Sequence, residues 1–182
     1  MGEYREHSKI LPVGAVMLVP DVKIDSIANS LTDYFRGEVV LSKQFRVQDF
    51  TNYYDDEMGD ELYKYFYYVR SLHPIEGSEE WKVWSNMQEE KYKTETGMDR
   101  PVNIDPGYLA LSKLVLFSTK GFSHRVYIRN KVFAEVTLQY RHKAFHDLPW
   151  TYSDYKTAEA YLFWNQARAE LDEMLGPEQK YS

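Results

Sequence analysis

Cysteine is absent from this 182-residue chain. No disulfide can staple the fold, no thiolate can hold a metal or attack a substrate, and the expected setting is the reducing cytoplasm. Glycine and proline are sparse, at 9 and 7 residues. They do not cluster into a linker or a low-complexity tract, so residues 1–182 are expected to form a single domain. No apolar run approaches the roughly 20 residues of a membrane-spanning helix. Residues 1–12 carry Glu3, Arg5, Glu6 and Lys9 where a signal peptide would be apolar. No membrane partner is expected, and that segment is expected to be loosely ordered. Positive charge is in deficit, with 22 Lys and Arg against 28 Asp and Glu, a net −6. That balance argues against broad nucleic-acid binding and leaves room only for a local basic patch. The phosphate loop G-x-x-x-x-G-K-S/T, the dinucleotide loop G-x-G-x-x-G and the nucleophile elbow G-x-S-x-G are all missing.

What is present is a large apolar and aromatic complement. Hydrophobic residues make up 43% of the chain, enough for a substantial core, and 16 tyrosines raise the aromatic share to 16%. Each tyrosine brings a hydroxyl that wants a partner, so a core with polar margins is expected. Residues 13–19 (VGAVMLV) are a short continuous apolar run, most simply a buried strand. Asp21 can cap the next helix, in which Ile24, Ile27, Ala28, Leu31 and Phe35 share a face and Gly37 supplies the stop. Residues 39–47 alternate as a strand does. Residues 62–69 (LYKYFYYV) fit both periods, and the tyrosine density favours a strand.

Residues 78–96 read as a helix with Ser78 as cap, Glu79 and Glu80 in its first turn and Lys91 and Lys93 near its end. A strand at 102–104, a turn at Asp105-Pro106-Gly107 and an apolar stretch at 109–117 follow. Residues 124–128 and 132–140 form a hairpin closed at Asn130-Lys131. The last helix, at about 157–175, carries Ala160, Trp164, Ala167, Leu171 and Met174 on one stripe before Gly176-Pro177. Trp84 and Trp164 are expected in the core. The order strand, helix, strand, strand, helix, strand is that of the ferredoxin-like split βαβ plan. The expected fold is therefore α+β, an antiparallel sheet carrying helices on one face, with a C-terminal β-hairpin and closing helix.

Several segments together resemble a known family: FTNYYDDEMG (50–59), VNIDPGYL (102–109), SKLVL (112–116) with STK (118–120), SHRVY (123–127), AEVTL (134–138) and LPWTYSDY (148–155). They are similar to the family catalogued as domain of unknown function 4416. That resemblance implies no activity, since the family has none established. The chain departs from the family pattern at Asn130-Lys131, where a Gly-Asp-Gly type of turn is usual, so no ligand is expected at that turn.

Candidate chemistry gathers in four places. Asp105 offers a carboxylate at the open end of a strand. Lys120, Ser123 and Arg125, with the hydroxyls of Ser118 and Thr119, are the densest set of anion donors in the chain. His124 can act as acid or base near neutral pH. Glu135 interrupts an apolar strand; with the turn centred on Asn130-Lys131, position 135 would pair with 126 and 137 with 124, placing His124 and Glu135 on one face. Lys82, Asn86 and Glu89 share a polar helical stripe. Asp55, Asp56 and Glu57 offer oxygen ligands without EF-hand spacing, and no metal site is expected. The catalytic candidates are thus His124, Glu135 and Asp105, and the anion-binding candidates are Lys120, Ser123, Arg125, Lys82 and Asn86. These point to a small-molecule or nucleotide-phosphate binding protein, or an enzyme that handles phosphate, whose partner is a small anionic ligand. The alternative is a non-catalytic module that binds RNA or protein through Tyr53, Tyr54 and Tyr108. Cofactor and oligomeric state are left open by the sequence.

Overall fold

The structure, a computed structural model, describes residues 9–177. The chain runs through β1 (Leu11–Leu18), α1 (Ile24–Phe35), β2 (Glu38–Leu41), β3 (Phe45–Arg46), α2 (Asp55–Met58), β4 (Tyr63–Arg70), α3 (Glu80–Thr96) and β5 (Val102–Ala110). It continues through β6 (Lys113–Ser118), β7 (Val126–Arg129), β8 (Val132–Arg141), β9 (Ala144–Asp147) and α4 (Ala158–Met174). It is a mixed α+β protein. All nine strands join one sheet in the order β2-β4-β1-β5-β6-β8-β7, with β3 on β4 and β9 on β8. Every pairing is antiparallel. The sheet is larger than the ferredoxin-like order with an added hairpin expected from the sequence, and its full order differs from that plan.

Helices cover both faces, not one. On the first face Val16, Leu18, Val102, Ile104 and Phe117 pack against Ile27, Leu31 and Phe35 of α1 and Trp81 and Tyr92 of α3. On the second, Leu11, Val13, Phe66, Leu109 and Leu138 pack against Ala160, Trp164, Ala167 and Leu171 of α4. A strand whose alternate residues both meet a helix must be apolar at every position. β1, buried along its whole length, reads that way. Its burial also corrects the expected loose segment: Leu11 and Pro12 belong to β1, while residues 1–8 lie outside the described residues.

Local chemistry explains the other differences. Asp21 does not cap α1; Lys23 is the cap residue, without a side-chain bond, and Arg36 (φ 56°), not Gly37, takes the left-handed terminal position. The cap residue of α3 is Glu79, without a side-chain bond, rather than Ser78. Thr157 does cap α4, its hydroxyl accepting the Ala160 N–H at 3.1 Å. Trp164 is fully buried, but Trp84 is only half-buried and stacks on Tyr34 at 4.4 Å.

The expected turn at Asp105-Pro106-Gly107 does not form. These residues lie within β5, and the chain reverses at residues 111–112. β5 pairs with β1 from Val102 to Leu109 but with β6 only from Gly107 onward. Ahead of Gly107 the two strands part, because β6 follows β8 outward. The N–H and C=O of residue 104 face that gap, and Pro106, two residues on, has the same orientation and no N–H to leave unpaired. Gly107 sits where the strands separate; a Cβ there would lie 2.0 Å from the Val115 carbonyl oxygen.

Candidate ligand-binding site

The parting of β5 from β6 opens a cleft of about 510 Å3 in the middle of the sheet. The exposed backbone of β5 is satisfied from below by α3. Ile104 N–H donates to Glu89 Oε1 at 2.8 Å, and Lys82 Nζ donates to Ile104 O at 2.9 Å. The stripe Lys82, Asn86, Glu89 is therefore turned inward and lines the cleft. Lys82 is 4% exposed. Its ammonium lies 3.6 Å from Asp105 Oδ1 and 3.8 Å from Glu89. Burial raises the Glu89 carboxyl pKa, and Lys82 together with the Ile104 N–H draws it part of the way back.

Asp105 occupies the second face of the sheet, opposite Ala15. Its Oδ2 accepts from Asn103 Nδ2 at 2.7 Å, and Arg100 donates to Asn103 Oδ1 at 2.7 Å. Across the floor Lys64 of β4 pairs with Asp154 at 2.6 Å. Tyr155 lies beside it, fully buried, with its hydroxyl unpartnered and its pKa driven well up by burial.

The far wall is built on Glu135 of β8. Arg125 Nε donates to Glu135 Oε2 at 2.6 Å, and His124 Nε2 meets the same oxygen at 3.0 Å. The remaining Arg125 donors go to Ser118 Oγ, Lys120 O and the Tyr152 hydroxyl at 2.8–2.9 Å. Burial alone would lower the Arg125 pKa, and the bond and charge of Glu135 more than offset it. His124 is held outside the cleft between Phe122 and Trp150, with ring centroids 6.0 and 5.2 Å away. The expected register does not hold: a bulge after Tyr127 sets Val126 opposite Ala134 rather than Glu135. The contact with Glu135 survives because His124 and Arg125 precede β7 and reach back from a loop, where strand register does not dictate direction.

Six of the candidate residues thus border one cleft: Lys82, Asn86, Asp105, Lys120, Arg125 and Glu135. His124 touches it through Glu135, and Ser123 is exposed and away from it. Sequence reasoning missed Lys64, Asn103, Arg100, Tyr152, Asp154 and Tyr155. Only the lysine inside a tyrosine-rich strand and the SDY triplet before the last helix hinted at them. Of the five cations around the cleft, Lys120 alone has no carboxylate partner among the described residues; its ammonium sits 5.6 Å above the Tyr53 ring. Among the described residues no group of three or more acidic, His or Cys side chains could hold a metal, and no helix is long and apolar enough to cross a membrane.

Fold and cleft together define a mixed α+β protein with one wide antiparallel sheet, split at its centre around buried charge. The family model described as domain of unknown function (DUF4416) matches residues 11–171, and the chain belongs to that family. No curated protein and no solved structure matches the chain.

Proposed function

We propose that the cleft binds a small molecule about the size of a mononucleotide, with a planar ring and a single anionic group. The observation that carries this reading is the pairing pattern of the cleft's cations. Lys64, Lys82, Arg100 and Arg125 are each matched to a carboxylate, which leaves Lys120 at the mouth as the one positive charge free for a ligand. A polyphosphate would need several such charges; a monophosphate or carboxylate needs one. Lys120 stands beside Ser118 and Thr119, whose hydroxyls can share the anion. Phe45, Phe50, Tyr53, Tyr54 and Phe122 supply apolar ring surface. The volume falls within the roughly 300–1,000 Å3 of small-molecule sites.

The RNA-binding alternative loses support, since Tyr108 is buried in the core and helices pack on both faces of the central strands. The ferredoxin-like plan is retained as a reading of one part of the chain. It would comprise β1, α1, β2, β4, α3 and β5, with β6 to β9 as an extension beyond β5. The lack of cysteine supports a cytoplasmic setting.

Calorimetric titration with nucleoside monophosphates tests the ligand reading. Saturable binding is expected, weakened about tenfold in Lys120→Ala by loss of one charge-assisted contact. Absence of binding, or binding indifferent to Lys120→Ala, would overturn it.

A further inference from the structure

Four carboxylates border the cleft, and they differ in how open they are. Side-chain exposure is 2% for Glu135, 8% for Asp154, 19% for Glu89 and 35% for Asp105. Asp105 is therefore the carboxylate a ligand meets. It is also fixed, since Asn103 holds Oδ2 from behind and Arg100 holds Asn103. Among the described residues Oδ1 has no hydrogen-bond donor; Lys82 Nζ lies 3.6 Å off, too far for a hydrogen bond. Lys82 has three N–H protons and gives one to Ile104 O, with its two carboxylate neighbours beyond direct bonding range. The floor of the cleft thus presents a fixed acceptor and a fixed donor side by side, each with unused capacity.

The chemistry of an occupant follows by elimination. An anionic group placed on Lys82 would be pressed against Asp105 and Glu89. A cationic group placed on Asp105 would be pressed against Lys82. A neutral planar edge with a donor next to an acceptor suits both at once: its N–H gives to Asp105 Oδ1, and its C=O or ring nitrogen accepts from Lys82 Nζ. Resting on the cleft being a ligand site, we propose that Asp105 and Lys82 together read the amide-like edge of the ligand's ring, the edge carried by lactam and imide heterocycles. The anionic group then lies at the opposite end, on Lys120. Asp105 and Lys82 are thereby specificity-determining residues, while Glu135, Arg125 and His124 stiffen the far wall.

The test uses the full chain and two matched ligand pairs in calorimetry: uridine monophosphate against its ring-N-methylated form, and inosine monophosphate against purine riboside monophosphate. Each pair keeps the phosphate and the ring but removes the donor or the whole edge. The unmodified member of each pair should bind at least about tenfold more tightly, the cost of stranding a desolvated polar group. Asp105→Asn should abolish the preference, whereas Lys120→Ala should weaken all four ligands alike. Equal affinities within both pairs would overturn the edge reading and leave the cleft reading intact. Discrimination undiminished in Asp105→Asn would overturn it too, by placing the reading group elsewhere. Failure of all four ligands to bind would overturn the cleft reading and this inference with it. Should Asp105→Asn prove unstable, the two comparisons on the wild-type chain still decide.

Discussion

Replacing Lys82 with Met removes the positive charge that α3 sets against the open edge of β5. Lys82 is 4% exposed, and its ammonium donates to Ile104 O at 2.9 Å and stands 3.6 and 3.8 Å from Asp105 and Glu89. Loss of the bond to Ile104 leaves a carbonyl unpaired, worth ~1–3 kcal/mol. Breaking a fully buried ion pair by removing one partner costs ~3–5 kcal/mol. That figure is discounted here, since the Asp105 side chain is about a third exposed and solvent screens it. Methionine fills most of the lysine stem's volume, so no large cavity opens. The net loss is about 2–3 kcal/mol at neutral pH, or ~5–10 °C in Tm for a chain of this size.

The loss should depend on pH, and its sign is fixed by Glu89. Burial already raises the Glu89 pKa, and Lys82 restrains the rise. In Lys82→Met the folded-state pKa climbs further above the unfolded value. A carboxyl raised in the folded state carries no penalty when both states are protonated, and the full penalty once pH exceeds the folded pKa. The deficit should therefore be largest at neutral pH and shrink towards pH 4.5, the group's ordinary value. Urea unfolding of both proteins at the two ends of that range measures it. A deficit below about 0.5 kcal/mol, within the scatter of neutral surface changes, would refute the reasoning. So would one that does not change with pH.

Two further outcomes bear on the frame around the cleft. Gly107→Ala places a methyl carbon 2.0 Å from the Val115 oxygen and should cost ~3 kcal/mol or more by chemical unfolding; wild-type stability would mean that β5 and β6 do not meet so closely there. Hydrogen bonds from Arg70 hold the Glu170 carboxyl down to about 2 from its ordinary 4.5. Its contribution to stability is then complete above about 4.5 and lost as pH falls through about 2, so Glu170→Gln should flatten stability over that window, and an unchanged slope would rule the bond out.

Elements with a plain period or a strong compositional signal were legible in the sequence. α4 has one buried stripe, and the strand at Tyr63–Arg70 betrayed itself through aromatic density. The turn at Asn130-Lys131 formed as expected, with φ of 52° and 63°. α3 was placed but its inward face was misjudged: Trp84, expected in the core, is only half-buried, while Lys82 of the polar stripe is buried. Helical period identifies a face by its apolar residues, and a face that meets a split sheet is polar where the split lies. Asp105-Pro106-Gly107 misled for the same reason. These residues have turn chemistry, but here Pro106 lacks an N–H where no strand could receive one, and Gly107 lets two backbones touch before they separate. Residues suited to breaking a strand are also suited to opening a sheet, and composition does not distinguish the two.

The same argument says why the cleft was only partly visible. The residues singled out were those whose presence contradicts their surroundings: an acid in an apolar strand, a basic cluster before a hairpin, a charged stripe on a helix. Such contradictions mark where buried charge must be paired, because an unpaired buried charge costs far more than its removal. They say nothing about the partner. Lys64 and Asp154 meet at 2.6 Å across 90 positions of sequence, and neither is unusual where it stands. Glu135 was conspicuous and proves the least accessible carboxylate of the cleft, whereas Asp105, disguised as a turn, is the most accessible. Conspicuous charge in a sequence locates the scaffold of a site. Asp105 and Lys120 were also named from the sequence; what the three-dimensional tally of partners adds is that the scaffold leaves the charge of Lys120 and the hydrogen bonding of Asp105 unspent.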